Sequence, residues 1–235
     1  MGFQTDASGN YSTAMGHSTK AKGIVSTAMG LGTQATGEAS TAIGAETKAT
    51  KEASTAMGHS TEASGDYSTA MGHSTKAKGI VSTAMGFGTQ ATAQASTAIG
   101  AETKATSEAS TAMGHSTEAT GEGSTAMGAS TKAKGLVSTA MGFQTDASGN
   151  YSTAMGYKTH AIGNHSTAMG KYNTINANNI FSVGVGSSDS DRKDAFSIDF
   201  SGNLTIGSGN LTIGSGNSQL VLTKEKLEKL KNLLN

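Results

Sequence analysis

Cysteine and proline are both absent from this chain of 235 residues, and tryptophan with them. The first absence excludes a disulfide framework, a thiolate metal site and a cysteine nucleophile together, so rigidity must come from hydrogen bonds and packing. Only 5% of residues are aromatic and 35% hydrophobic, too little bulky apolar material for an ordinary layered core. The chain is therefore either disordered or built on a thin core of small, regularly stacked side chains. Seventeen basic and 17 acidic residues cancel to zero net charge, and no stretch concentrates one sign. Nucleic acid is accordingly not an expected partner. No apolar run is long enough for a transmembrane helix, so no membrane contact is expected within the chain. Met1 to Asn10 lack the basic start and apolar stretch of a signal peptide.

What the chain does contain is repetition. The string Ser-Thr-Ala-Met/Ile-Gly starts at Ser12, Ser26, Ser40 and so on to Ser166, twelve copies spaced by 14 residues without an insertion. Ten of the eleven methionines, Met15 to Met169, occupy one position of that string, with Ile43 and Ile99 in the other two copies. A second half-motif, Thr-x-Ala, recurs in the same phase from Thr5 and Ala7 to Thr159 and Ala161. Self-similarity at a fixed short period is the signature of stacked repeats.

Two short alternating segments per unit, separated by turns, suit a two-sided coil. In Ser12-Thr13-Ala14-Met15-Gly16 a period of two puts Thr13 and Met15 on one face and Ser12 and Ala14 on the other. In Thr19-Lys20-Ala21 threonine and alanine share a face. Glycine closes the first segment at Gly16, Gly30 and Gly44, and often the second, as at Gly9, Gly23 and Gly37. Fixed glycines imply turns with positive φ or close backbone approach. The second turn also accepts Lys51, Ala93 and Ser107, so it is the less demanding. Two heptads also make 14 residues, but two glycines per period, each costing about 1 kcal/mol in a helix, rule the helix out. Parallel stacking at ~4.8 Å per coil gives a rod of about 60 Å with identical residues in columns.

A longer period is superimposed. Gly16 to Gly30 is identical to Gly72 to Gly86, 56 residues later, and Gly2 to Gly16 recurs as Gly142 to Gly156. After Gly170 the pattern decays. Phe181-Ser182-Val183-Gly184 keeps the phase, Ser187 to Asp194 reads as a polar loop, Ala195 to Phe200 as a strand, and GNLTIGS then occurs twice, from Gly202 and from Gly209. The expected organisation is a roll over 1–184, a β-rich closing segment over 185–218 and a C-terminal helix over 219–235. In that last segment Leu220, Leu227 and Leu234 recur by seven, and Thr223 suits the N-cap of a helix from about Lys224. So short a helix is marginal alone and needs partners, which three copies meeting on an axis would supply.

These residues resemble the YadA-like head repeats of trimeric autotransporter adhesins, whose unit centres on Asn-Ser-Val-Ala-Ile-Gly. Here Thr13 replaces Val and Met15 replaces Ile. The resemblance, over about Gly2 to Gly184, implies a left-handed parallel β-roll, an intertwined homotrimer and an adhesive head of a cell-surface fibre that meets a host or extracellular ligand. Tyr11, Val25, Ala39 and Ala53 stand where the family motif begins with Asn, and Thr19 and Thr33 where its collagen-associated members carry serine. The closing stretch is similar to the ends of bacteriophage fibres, which also use such rolls, so a virion fibre is the alternative function.

No catalytic residue, cofactor or metal site is assigned, and the chain is not expected to be an enzyme. His17, His59, His73 and His115 follow motif glycines, but Leu31, Ala45, Phe87, Ala129 and Tyr157 share their column, as at a permissive surface position. Ser60, His59 and Glu62 have the residue types of a triad without a pocket to hold one. Gly184-Val185-Gly186 and Gly207-Ser208-Gly209 lack the helix of a phosphate loop and read as turns. Threonine columns raise an ice-binding solenoid as a minor alternative. Lys20, Lys22, Glu46, Lys48 and Glu62 read as a solvated face that discourages lateral association. Nothing in the sequence selects the ligand.

Overall fold

The computed structural model describes residues 2–207, 211–213, 220–223, 225, 226, 229, 232 and 233. Each 14-residue unit folds as one coil with a five-residue strand, a turn, a two-residue strand and a second turn. The long strands run from β3 (Thr13–His17) to β25 (Thr167–Lys171), and the short ones from β4 (Lys20–Ala21) to β24 (His160–Ala161). An incomplete first coil contributes β1 (Gly2–Phe3) and β2 (Asp6–Ala7). Long strands stack only on long strands and short on short, giving sheets of 16 and 12 strands face to face, parallel except for the last two strands of the larger. Pairing is in register, residue on equivalent residue, as in Thr69↔Thr83, Ala70↔Ala84 and Met71↔Met85. The 14-residue spacing and the two-segment coil read from the sequence are those of the structure, an all-β parallel solenoid.

Register follows from side-chain size on the two faces. Every buried hydrophobic side chain among the described residues is alanine: Ala28, Ala42 and their equivalents from the large sheet, and Ala21, Ala35 and theirs from the small one. Thr19 and Ser26 with their equivalents complete the interior. Three methyl-sized groups per coil supply about 2–3 kcal/mol, so the core is thin and regular stacking must do the rest. The inward threonine hydroxyls, Thr75 and Thr89 among them, have no hydrogen-bond partner. A slip by one residue would put methionine and lysine inside, which fixes the register.

The turns extend the ladder. Val25 N–H donates to Asn10 O at 2.8 Å, and Ser18 N–H to Phe3 O at 2.9 Å. Proline has no place where turn amides also bond between coils. Gly86, with φ +121°, shows why glycine closes the long strand: a Cβ there would overlap the carbonyl of Gly100. Gly79 has ordinary φ, but its Cβ would overlap the carbonyl of Ala93. Where Lys51 and Ser107 replace this second glycine, their amides donate to Ser54 and Ser110 Oγ at 3.2 Å. The left-handed turn positions themselves fall on other residues: Ser18, Glu46 and Ser60 in one turn, Tyr11, Val25 and Ala39 in the other.

At the C-terminal end the stack is closed by a change of strand direction. β26 (Asn179–Val185) still lies parallel on β25, Gly170 opposite Gly184, so the phase read from the sequence holds. Its register partner on the other side, β27 (Asp194–Asp199), is antiparallel, and β28 (Leu204–Ile206) is antiparallel to that. The small sheet ends at β24, where the buried Asn173 amide takes the place of another strand. Its Oδ1 accepts from His160 N–H at 2.8 Å and its Nδ2 donates to His160 O at 2.9 Å. Arg192, in the loop between β26 and β27, donates to Lys158 O at 2.9 Å and Asp189 at 2.5 Å. Hydrogen bonds from Lys158 Nζ, at 2.9 Å, and from Arg192 hold Asp189 below the usual carboxylate range. Burial, and after it the Arg192 guanidinium, holds His160 below its ordinary range.

The second GNLTIGS copy contributes β29 (Leu211–Ile213), which pairs antiparallel with β30 (Leu220–Leu222) rather than with the solenoid. The C-terminal helix expected from about Lys224 falls largely outside the described residues. At its expected start, Thr223 Oγ1 accepts from Lys226 N–H at 3.2 Å, as an N-cap would.

Candidate interaction surface

The rod offers two sheet faces and two turn edges, and each repeats its chemistry from coil to coil. On the outer face of the large sheet stand three columns. Thr27 and its equivalents form the first and the Met/Ile positions the second. The third runs Phe3, His17, Leu31, Ala45, His59, His73, Phe87 and onward. Met15 and Met57 are exposed and most other members of the second column half-buried, so a stripe of thioethers lies open along the rod. The third column stacks its rings: His59 on His73 at 5.0 Å, His73 on Phe87 at 5.1 Å and Phe143 on Tyr157 at 5.1 Å.

The outer face of the small sheet is polar and charge-compensated. Glu62 lies between Lys48 and Lys76 in the ladder. Lys104 and Lys132 approach Glu118 from either side at 3.9 and 3.7 Å, and Lys134 meets Asp146 at 2.6 Å. Such exposed pairs add little stability, but they keep both signs interspersed along a long β surface. Lys20, Lys22 and Lys48 lie here, as the solvated-face reading expected, with Lys22 3.7 Å from Asp6.

Two open dents mark this side four coils apart. One, of about 350 Å³, is lined by Gly32, Glu46, Lys48, Ser60, Thr61, Glu62 and Lys76. The other, of about 320 Å³, is lined by Gly88, Gln90, Glu102, Lys104, Ser116 and Glu118. Ser60 Oγ donates to Glu46 Oε2 at 3.1 Å, so Ser60, His59 and Glu62 do not form a hydrogen-bonded relay. His73 Nδ1 lies 3.1 Å from Ser74 Oγ, a hydroxyl rather than a carboxylate. Among the described residues no three His, Cys, Asp or Glu side chains gather as a metal site. Gly184 sits within β26, and Gly186 packs against Tyr172 and Asp191. Of Gly207-Ser208-Gly209, the last two lie outside the described residues. The threonines of Thr-x-Ala face inward and cannot meet ice; any ice-facing rank would be the Thr27 column.

A solenoid of identical coils with repeated surface columns and open, shallow dents is a structural module of a fibre. The sequence matches the family described as YadA head domain repeat (2 copies), in eleven overlapping segments that together run from residue 7 to residue 173. The chain belongs to this family, whose repeats are typical of trimeric autotransporter adhesins and form a structural module not known for catalysis. No curated protein matches the chain.

Sequence reasoning missed which residues adopt the left-handed turns. The available signal was the family's leading Asn, the non-glycine residue best suited to that conformation, at the position held here by Tyr11, Val25 and Ala39.

Proposed function

We propose that the chain is the head of an exported surface fibre that assembles as a homotrimer and attaches to a host or extracellular surface through many weak, repeated contacts. The observation that carries this reading is the family match over residues 7–173. The outer face of the large sheet supports trimerisation. Its thioether stripe and ring column form a long apolar surface of the kind that soluble monomers rarely leave open. Two further copies, each presenting the same columns, would cover it with side chains that repeat at the same ~4.8 Å step. The leucines that follow β30, Leu227 and Leu234 among them, would clamp the three chains at one end.

Attachment by such a fibre rests on multiplicity rather than on one pocket. Beads coated with the full chain at graded density should be retained under flow on cell or matrix surfaces more than in proportion to density. Retention equal to that of uncoated beads at every density would refute the adhesive reading.

A further inference from the structure

The turn that leads from the small sheet into the large one contains a recurrent backbone penalty. Val25, Val81 and Val137 hold φ at 56°, 56° and 51°, a region that β-branched side chains avoid because Cβ crowds the following carbonyl. Each is exposed, at 56%, 58% and 52%. The fold does not demand valine, since equivalent coils place Ala39, Gly123 and His165 there. A strained residue that gains little packing within its own chain is kept for a contact outside it.

The surroundings say what kind of contact. Ile24 and Ile80 precede two of these valines and are exposed, and Leu136 precedes the third. Tyr11, Tyr67 and Tyr151 stand exposed at the same position one coil away. Three apolar patches thus lie along one edge, 56 residues or four coils apart, about 19 Å at the usual strand spacing. Between them the position of Ile24 is held by Glu38, Glu52 and Asp66, then by Gln94, Glu108 and Glu122. None of these five carboxylates is in an ion pair within the described residues; Glu52 instead accepts from the Tyr67 hydroxyl at 2.5 Å. The nearby Lys22, Lys78 and Lys134 are turned to Asp6, Glu62 and Asp146 on the small sheet. Lys51 is the one basic residue at the adjoining glycine position.

We propose that this edge docks an extended, cationic and amphipathic polypeptide segment. Its apolar side chains seat on the Ile/Leu-Val patches and its Lys or Arg side chains lie against the unpaired carboxylates between them. An extended chain rises about 3.3 Å per residue, so about six residues separate the anchors that reach successive patches. The proposal rests on the adhesive-fibre reading and names the partner class for it.

The test uses the full chain and a labelled synthetic peptide of about 18 residues, in which Leu-Leu recurs about every six residues among lysines. Fluorescence anisotropy should show binding that weakens as salt is added, and no binding of the same peptide built with glutamate. The variant Val25→Asn/Val81→Asn/Val137→Asn relieves the backbone penalty, so it folds. It should bind the lysine peptide about tenfold more weakly or worse. Equal binding of the two peptides, or wild-type binding by the triple variant, would overturn the proposal. A changed solution mass of that variant would also overturn it, by making the edge a contact between copies. Loss of peptide binding alongside undiminished bead retention removes this docking edge and leaves the adhesive reading standing.

Discussion

Replacing Val25, Val81 and Val137 by asparagine should make the protein more stable although it removes apolar side chains from a chain already poor in them. The left-handed conformation costs a β-branched residue about 1–2 kcal/mol, most of which asparagine avoids. Against this stands lost packing. The three valines are more than half exposed, and asparagine keeps the Cβ and some of the remaining contact. That loss is about 0.5 kcal/mol per site. The net gain is then about 0.5–1 kcal/mol per site. Sites about 19 Å apart share no partners, so the effects add to about 1.5–3 kcal/mol for the triple variant. Alanine at the same positions gives up the packing while still occupying the left-handed region at some cost, so Val→Ala should be neutral or destabilising. Thermal melts of the three proteins, with amide exchange at Ser26, Ser82 and Ser138 to report the local effect, should rank asparagine above wild type and wild type at or above alanine. If the asparagine variant melts at or below the alanine variant, the strain assigned to these turns is not there.

The interior makes a second prediction of unusual sign. Thr75→Val removes a buried hydroxyl without a partner and keeps the shape, so it should stabilise by about 1 kcal/mol in a denaturant melt. Gly86→Ala should cost about 3–5 kcal/mol, because the new methyl meets the Gly100 carbonyl at φ +121°, and exchange should rise first in that coil. Acid should open the C-terminal cap in two stages. The lowered His160 means that the unfolded chain takes up its proton first, so stability is lost as pH falls below the ordinary value of 6.5. The lowered Asp189 contributes stability that is present above its ordinary value of 3.8 and lost as pH falls through the still lower folded value. Amide exchange at Ala161 should therefore quicken on acidification, and slower exchange at low pH would contradict the assignment. On the outer face, Met71→Ile should shift stability by less than about 1 kcal/mol, since Ile43 and Ile99 already occupy that column. Met71→Glu with Met85→Glu and Met127→Glu should split the proposed trimer, read as a fall in solution mass.

The coil was legible in the sequence because its determinants are local and repeated. Thr13-Ala14-Met15 alternates with a period of two, glycine recurs at one phase, and twelve copies leave no other register. The inward pairing of Thr19 with Ala21 followed from the same alternation and is what the structure shows. The closing cap was not legible. Asn173 reads in sequence as one polar residue among several, and only the absence of a further short strand makes its amide the ladder's last rung. The fixed glycines were read as marks of positive φ or close backbone approach, and Gly86 shows both. What the sequence did not signal is that valine, tyrosine and serine occupy further left-handed positions in the same turns. Surface columns were visible as columns, but their grouping into apolar patches and unpaired carboxylates along one edge needed the coil geometry.

The measurement that bears most directly on the central claim is the solution mass of the purified chain by light scattering, repeated without the last twelve residues. A mass three times the 23.5 kDa of the chain, loosened by the truncation, is the predicted result. A stable species of 23.5 kDa in both preparations would leave the methionine face open to water and contradict the trimeric fibre.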